Sequence, residues 1–141
     1  MILEERNKIK ELLEQAFEIA GLKPYISITS FPKNDDAMDE LIKQAKSYSN
    51  GCMFVTWHSE HPGQKVGKIY PYFIDIYTVF LISSDLTSDE DIIKRYELAR
   101  DTLQKKYYLY FGEKSPVRSS KNGLYVAALQ VGTQNIYQGV S

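Results

Sequence analysis

The chain has 141 residues, 43% of them hydrophobic and 25% charged, with 17 Lys and Arg against 18 Asp and Glu for a net charge of −1. That balance argues against wholesale disorder, and the lack of a basic excess argues against a general nucleic-acid binder. A single cysteine, Cys52, excludes an intrachain disulfide framework, and the length suits one domain over 1–141.

Residues 2–20 carry a helical stripe of Ile2, Ile9, Leu13, Ala16, Phe17 and Ala20, widened by Leu12 and Ile19. Glu4 and Glu5 suit the dipole at its start, and Gly21 followed by Pro24 stops it. Charges run throughout this segment, so it does not read as a signal peptide, and no stretch approaches the roughly 18 apolar residues of a membrane span. Residues 25–31, YISITSF, alternate and predict a short strand ended by Pro32. The Asn34–Asp35–Asp36 cluster offers caps for a second helix, which turns Met38, Leu41, Ile42 and Ala45 inward and breaks at Ser49–Asn50–Gly51.

Two longer strands follow, CMFVTWHS over 52–59 and YFIDIYTVFLISS over 72–84. The connection HPGQKVGK at 61–68 reads as an extended hairpin loop, and Pro71 places the paired part of the next strand after it. Thr87 with Glu90 forms a capping box for a third helix over 88–107, with the stripe Ile92, Tyr96, Ala99, Leu103 and Tyr107. YYLYFGEKSPVRSSKNG then reads as an aromatic patch leading into a polar loop, and LYVAALQV at 124–131 as the last strand, with a Gln-rich tail adding a few paired residues. The expected fold is α+β: a mostly antiparallel four-stranded sheet with helices packed on one face, in the order α–β–α–β–β–α–β.

The 72–84 strand has two apolar faces. Tyr72, Ile74, Ile76, Thr78, Phe80 and Ile82 point one way, and Phe73, Asp75, Tyr77, Val79 and Leu81 the other. Helices with one stripe each bury one side, which leaves a face to be covered. A buried Asp75 needs a donor or water: a group from another copy of the chain and an arginine from the third helix both satisfy that need.

Candidate chemistry is sparse. W-H-S-E-H at 57–61 holds His58 and His61, but on a regular strand they point to opposite faces, so no metal site is expected. Cys52 opens a strand beside Met53 and Phe54 and reads as a small buried hydrophobe rather than a nucleophile. There is no G-x-S-x-G, G-x-G-x-x-G or P-loop, and the acidic pairs lie at helix starts. Lys65 and Lys68 on one loop and Lys114, Arg118 and Lys121 on another would form a basic rim if the loops shared an end of the sheet.

GCMFVTWHSE, PYFIDIYTVFLISSD, the T-S-D-E-D helix start and NGLYVAALQV, in this order behind a long amphipathic helix, resemble the tail-terminator (tail-completion) proteins of long-tailed bacteriophages, prophages and related injection machines. The helix expected at 36–48 is an addition to the simplest form of that pattern. The resemblance implies no enzyme activity and no cofactor. It implies a ring, typically of six copies, made in the cytoplasm and then built into the particle, with the tail tube protein and the head–tail connector as partners. There would be no membrane contact, and no nucleic acid except DNA passing through the lumen. Under that reading Phe73, Asp75, Tyr77, Val79, Tyr108 and Tyr110 form the subunit interface, and Lys65, Lys68, Lys114 and Arg118 a docking surface on the loops. Two other readings stand beside it: an α+β adaptor domain acting as a dimer, and a metal protein using 57–61.

Overall fold

The computed structural model describes residues 1–136. The first helix, α1 (Ile2–Ile19), buries Ile9, Leu13 and Phe17 completely, as its stripe predicts. Burying each such side chain contributes about 1.5–3 kcal/mol. A short strand β1 (Tyr25–Ile28) follows, then α2 (Asp35–Lys43), which runs into a 3₁₀ turn at Gln44–Ser47. Of the three candidate caps Asn34 does the work, its side-chain oxygen accepting from the Ala37 N–H at 2.9 Å.

The long strands β2 (Cys52–Pro62) and β3 (Tyr72–Ile82) form an antiparallel hairpin, each 11 residues long. After α3 (Glu90–Leu103) the chain makes two three-residue strands, β4 (Tyr108–Tyr110) and β5 (Val117–Ser119), before β6 (Tyr125–Ile136). The sheet order is β1-β2-β3-β6-β4, with β5 also pairing β6; β1 runs parallel to β2 and the other pairs are antiparallel.

The fold is therefore α+β, but with a mixed six-stranded sheet instead of four mostly antiparallel strands. The extra strands arise because β4 and β5 together make one interrupted edge along β6, on either side of an excursion at 111–116. Three residues are too short to show a period, so the aromatic patch and polar loop conceal them. The expected capping box is also absent. Thr87 turns back to Asp85, whose Oδ1 accepts from the Thr87 N–H and hydroxyl at 2.8 and 2.7 Å, and α3 starts three residues later.

Helices cover both faces of the sheet, not one. Against α1 and α3 lie Met53, Val55, Tyr77, Val79, Leu81, Ala127, Leu129 and Val131. On the opposite face Ile42 and Ala45, with Met38 and Leu41 beside them, cover Cys52, Phe54, Phe80, Ile82, Leu124 and Val126. That second cover is short. It ends at a polar row across the sheet in which the Thr56 hydroxyl donates to the Thr78 carbonyl at 2.8 Å and the Gln130 amide donates to Thr78 Oγ1 at 3.3 Å.

Candidate functional site

Beyond the Thr56–Thr78–Gln130 row the α2-side face is open. Ile74 and Ile76 lie there half-buried on β3, Ser59 and His61 stand opposite them on β2, and Gly132 and Gln134 on β6. Tyr110 lays its ring over Gly132, where a Cβ would come within 2.5 Å of the ring, so only glycine admits this packing. Tyr108 shares its parity on β4 and is 60% exposed. This half-face holds two isoleucines and two tyrosines with no helix above them.

At the same end of the sheet the β2–β3 connection forms an arm. Residues 64–70 are all exposed, and Val66 and Ile69 exchange backbone hydrogen bonds of 2.8 and 3.1 Å around Gly67–Lys68. Gly67 takes φ +62°, a left-handed conformation that glycine adopts without cost, which makes this tight tip possible. The tip displays Val66, Ile69 and Tyr70 beside Lys65 and Lys68, with Lys65 Nζ 5.7 Å from the Tyr70 ring centre.

The two basic loops do not share an end. The Lys65–Lys68 arm follows the Pro62–Phe73 pair, whereas Arg118 pairs with Val126 in the row of Ile82, near the other end. Lys121 is held there by Asp39 of α2 at 2.5 Å, and that contact raises its pKa. The condition for a basic rim is therefore not met. Lys114 and Arg118 instead line a groove of about 470 Å³ at the interrupted edge, with Tyr96, Tyr110, Phe111 and Pro116.

The expected interface residues part company in the structure. Asp75, Tyr77 and Val79 are 0% exposed, on the face beneath α1 and α3, so the chain itself covers them. Phe73 is half-buried, Tyr110 is half-buried on the open face, and Tyr108 is exposed. The helices α1 and α3 lie over the Asp75–Tyr77–Val79 face, which the expected interface would have left open. The open residues are Ile74 and Ile76.

Asp75 finds its partners within the chain. Its carboxylate accepts from the Trp57 indole N–H at 3.3 Å and from the Asn135 side-chain amide, and Glu60 stands directly opposite on β2. Hydrogen bonding to Asp75, with lesser effects of burial and its charge, raises the Glu60 pKa. The arginines of α3 are engaged elsewhere: the buried Arg95 binds Asp91 at 2.9 Å and the Leu22 carbonyl, and Arg100 pairs with Asp101 at 3.0 Å. Tyr77, whose phenol donates to the Ile2 carbonyl at 3.0 Å, is held above its ordinary pKa first by burial and then by Asp75.

Cys52 is buried, as expected, and burial pushes its thiol pKa up to about 11, away from nucleophile chemistry. His58 and His61 differ from expectation. A β-bulge shifts the register between Trp57 and Ser59, and the extra residue reverses the alternation. His58, Ser59 and His61 now gather on one face, Ser59 Oγ lying 3.0 Å from His58 Nδ1 and 3.3 Å from His61 Nε2. Among the described residues no group of three or more His, Cys, Asp or Glu side chains is placed to hold a metal ion, and no helix is long and apolar enough to cross a membrane. No protein-family model matches the chain, and no curated protein does.

Proposed function

We propose that this protein is a structural subunit that assembles with itself into a ring, as a tail terminator does at the end of the tube of a phage or phage-like particle. The observation that carries the reading is the presence, on one chain, of two unlike apolar surfaces: the open half-face around Ile74 and Ile76, and the arm tip of Val66, Ile69 and Tyr70. A closed ring uses two different patches that fit each other, whereas a two-fold dimer uses one patch twice. An arm that reaches beyond its own sheet suits the first arrangement.

The resemblance to tail-completion proteins adds the number and the setting: six copies, a tube end on one side and a head–tail connector on the other. The basic groups support two docking levels, since Lys65 and Lys68 lie on the arm while Lys114 and Arg118 lie at the interrupted edge. The role requires no catalysis.

Ile76→Asp and Ile69→Asp test the reading, because each charges one patch while leaving the buried core untouched. Each variant keeps the far-UV spectrum of the wild type and loses the assembled species in light scattering. Assembly equal to wild type in both variants overturns it.

A further inference from the structure

The bulge that gathers His58, Ser59 and His61 creates a geometry with a chemistry of its own. On a regular strand, residues three apart face opposite sides; the extra residue at Trp57–Ser59 brings these two imidazoles to the same side. Ser59 Oγ marks the point on which they converge, 3.0 Å from His58 Nδ1 and 3.3 Å from His61 Nε2. His58 is also held in place, its ring packed edge-on against Phe31 at 4.7 Å, and Phe31 rests in turn on Phe80. Both histidines are exposed, so solvent and ions reach them.

We propose that His58 and His61 together bind one divalent transition-metal ion of the zinc, nickel or copper class, with water completing its coordination. Imidazole nitrogen suits these ions, whereas magnesium and calcium prefer oxygen ligands. A metal–nitrogen distance of about 2.0–2.1 Å requires the two nitrogens to close in on the position near the Ser59 hydroxyl, which the exposed His61 approaches by rotation about χ1 and χ2 while His58 stays against Phe31. Ser59 then gives up its place between the rings. With two protein ligands the site is of modest affinity. All its atoms belong to one chain, and Ser59 and His61 stand opposite Ile76 and Ile74 on the open half-face, so the site is tested on the unassembled chain.

Isothermal titration of the full chain with zinc chloride at neutral pH tests this, with magnesium chloride as the control ion. The expected result is one zinc per chain and no magnesium binding. His58→Ala and His61→Ala each weaken zinc binding by about tenfold or more, because outer-sphere partners alone are worth about 10–100-fold. Circular dichroism confirms that both variants fold, and Ser59→Ala retains binding. No zinc binding by the wild type, or zinc binding unchanged in both histidine variants, overturns the proposal.

Discussion

Glu60 and Asp75 stand directly opposite each other on β2 and β3, and one is exposed while the other is fully buried. Asp75 accepts from Trp57 and Asn135, and the Glu60 pKa is raised above its ordinary value of 4.5, first by hydrogen bonding to Asp75 and then by burial and the Asp75 charge. The surroundings hold the phenol of Tyr77, the amino terminus paired with Glu4, and Glu5 and Arg6 of α1, both of which act on Tyr77.

A pH dependence follows with a definite sign. The folded chain holds the Glu60 proton more tightly than the unfolded chain, so this contribution to stability is fully present below the unfolded pKa and is lost as pH rises through the raised folded value. In Glu60→Gln the amide donates to Asp75 at every pH. Melting temperatures of the two proteins therefore diverge in favour of the variant as pH rises from below 4.5 towards neutrality. Parallel curves would show that Asp75 does not raise the Glu60 pKa.

Tyr77 and Val79 supply a sharper test of which face is covered. Val79→Asp places an unpaired charge in the centre of the core under α1 and α3, and the variant fails to fold, with loss of the near-UV and far-UV signals. Tyr77→Phe removes only the hydrogen bond to the Ile2 carbonyl and costs about 1 kcal/mol in urea unfolding. A folded Val79→Asp monomer would mean that this face is free.

Arg95 joins three elements through one guanidinium: Asp91 in α3, the Leu22 carbonyl before β1, and through Asp91 the Ser83 hydroxyl at the end of β3, which donates at 2.7 Å. Asp91 is 27% exposed, so loss of its partner is eased by water. Arg95→Ala is expected to lower stability by about 2–3 kcal/mol in denaturant unfolding. Arg95→Lys recovers only part of it, because one ammonium does not reproduce the fork.

Much of this architecture is legible in the residues themselves. The Ile9–Leu13–Phe17 and Ile92–Tyr96–Ala99–Leu103 stripes identify helices that bury those side chains, and the β2–β3 hairpin follows from two long β-rich runs around a glycine-containing loop. The two faces of β3 were also readable, but which helix covers which face depends on where α2 lies, and an amphipathic stripe does not say which side of a sheet it meets. The bulge at 57–59 carries no glycine or proline to announce it, so the convergence of His58 and His61 was hidden. Asn135 reaches Asp75 from 60 residues away, a pairing that only the β3–β6 register brings about.

The expected extension of the last strand into the Gln-rich tail holds as far as Ile136; residues 137–141 lie outside the described part of the chain. β6 thereby spans both halves of the sheet. It carries Val126 under α2 and Gly132 and Gln134 on the open half, and its other face supplies Leu129 and Val131 to the core.

Gly132 makes the open half-face testable without touching the core. In Gly132→Val the added side chain meets the Tyr110 ring, so the tyrosine is displaced from the face. The expected cost is about 1–3 kcal/mol in stability, accompanied by weaker self-association in sedimentation. Unchanged self-association would remove Tyr110 from the contact surface.

The native mass of the purified protein, measured by light scattering and native mass spectrometry across concentration with negative-stain images of the large species, tests the central proposal most directly. A closed ring of six copies with six-fold symmetry in projection is the expected result. A two-fold dimer that persists at every concentration, or a monomer that stays monomeric in the presence of tail-tube ends, would contradict it.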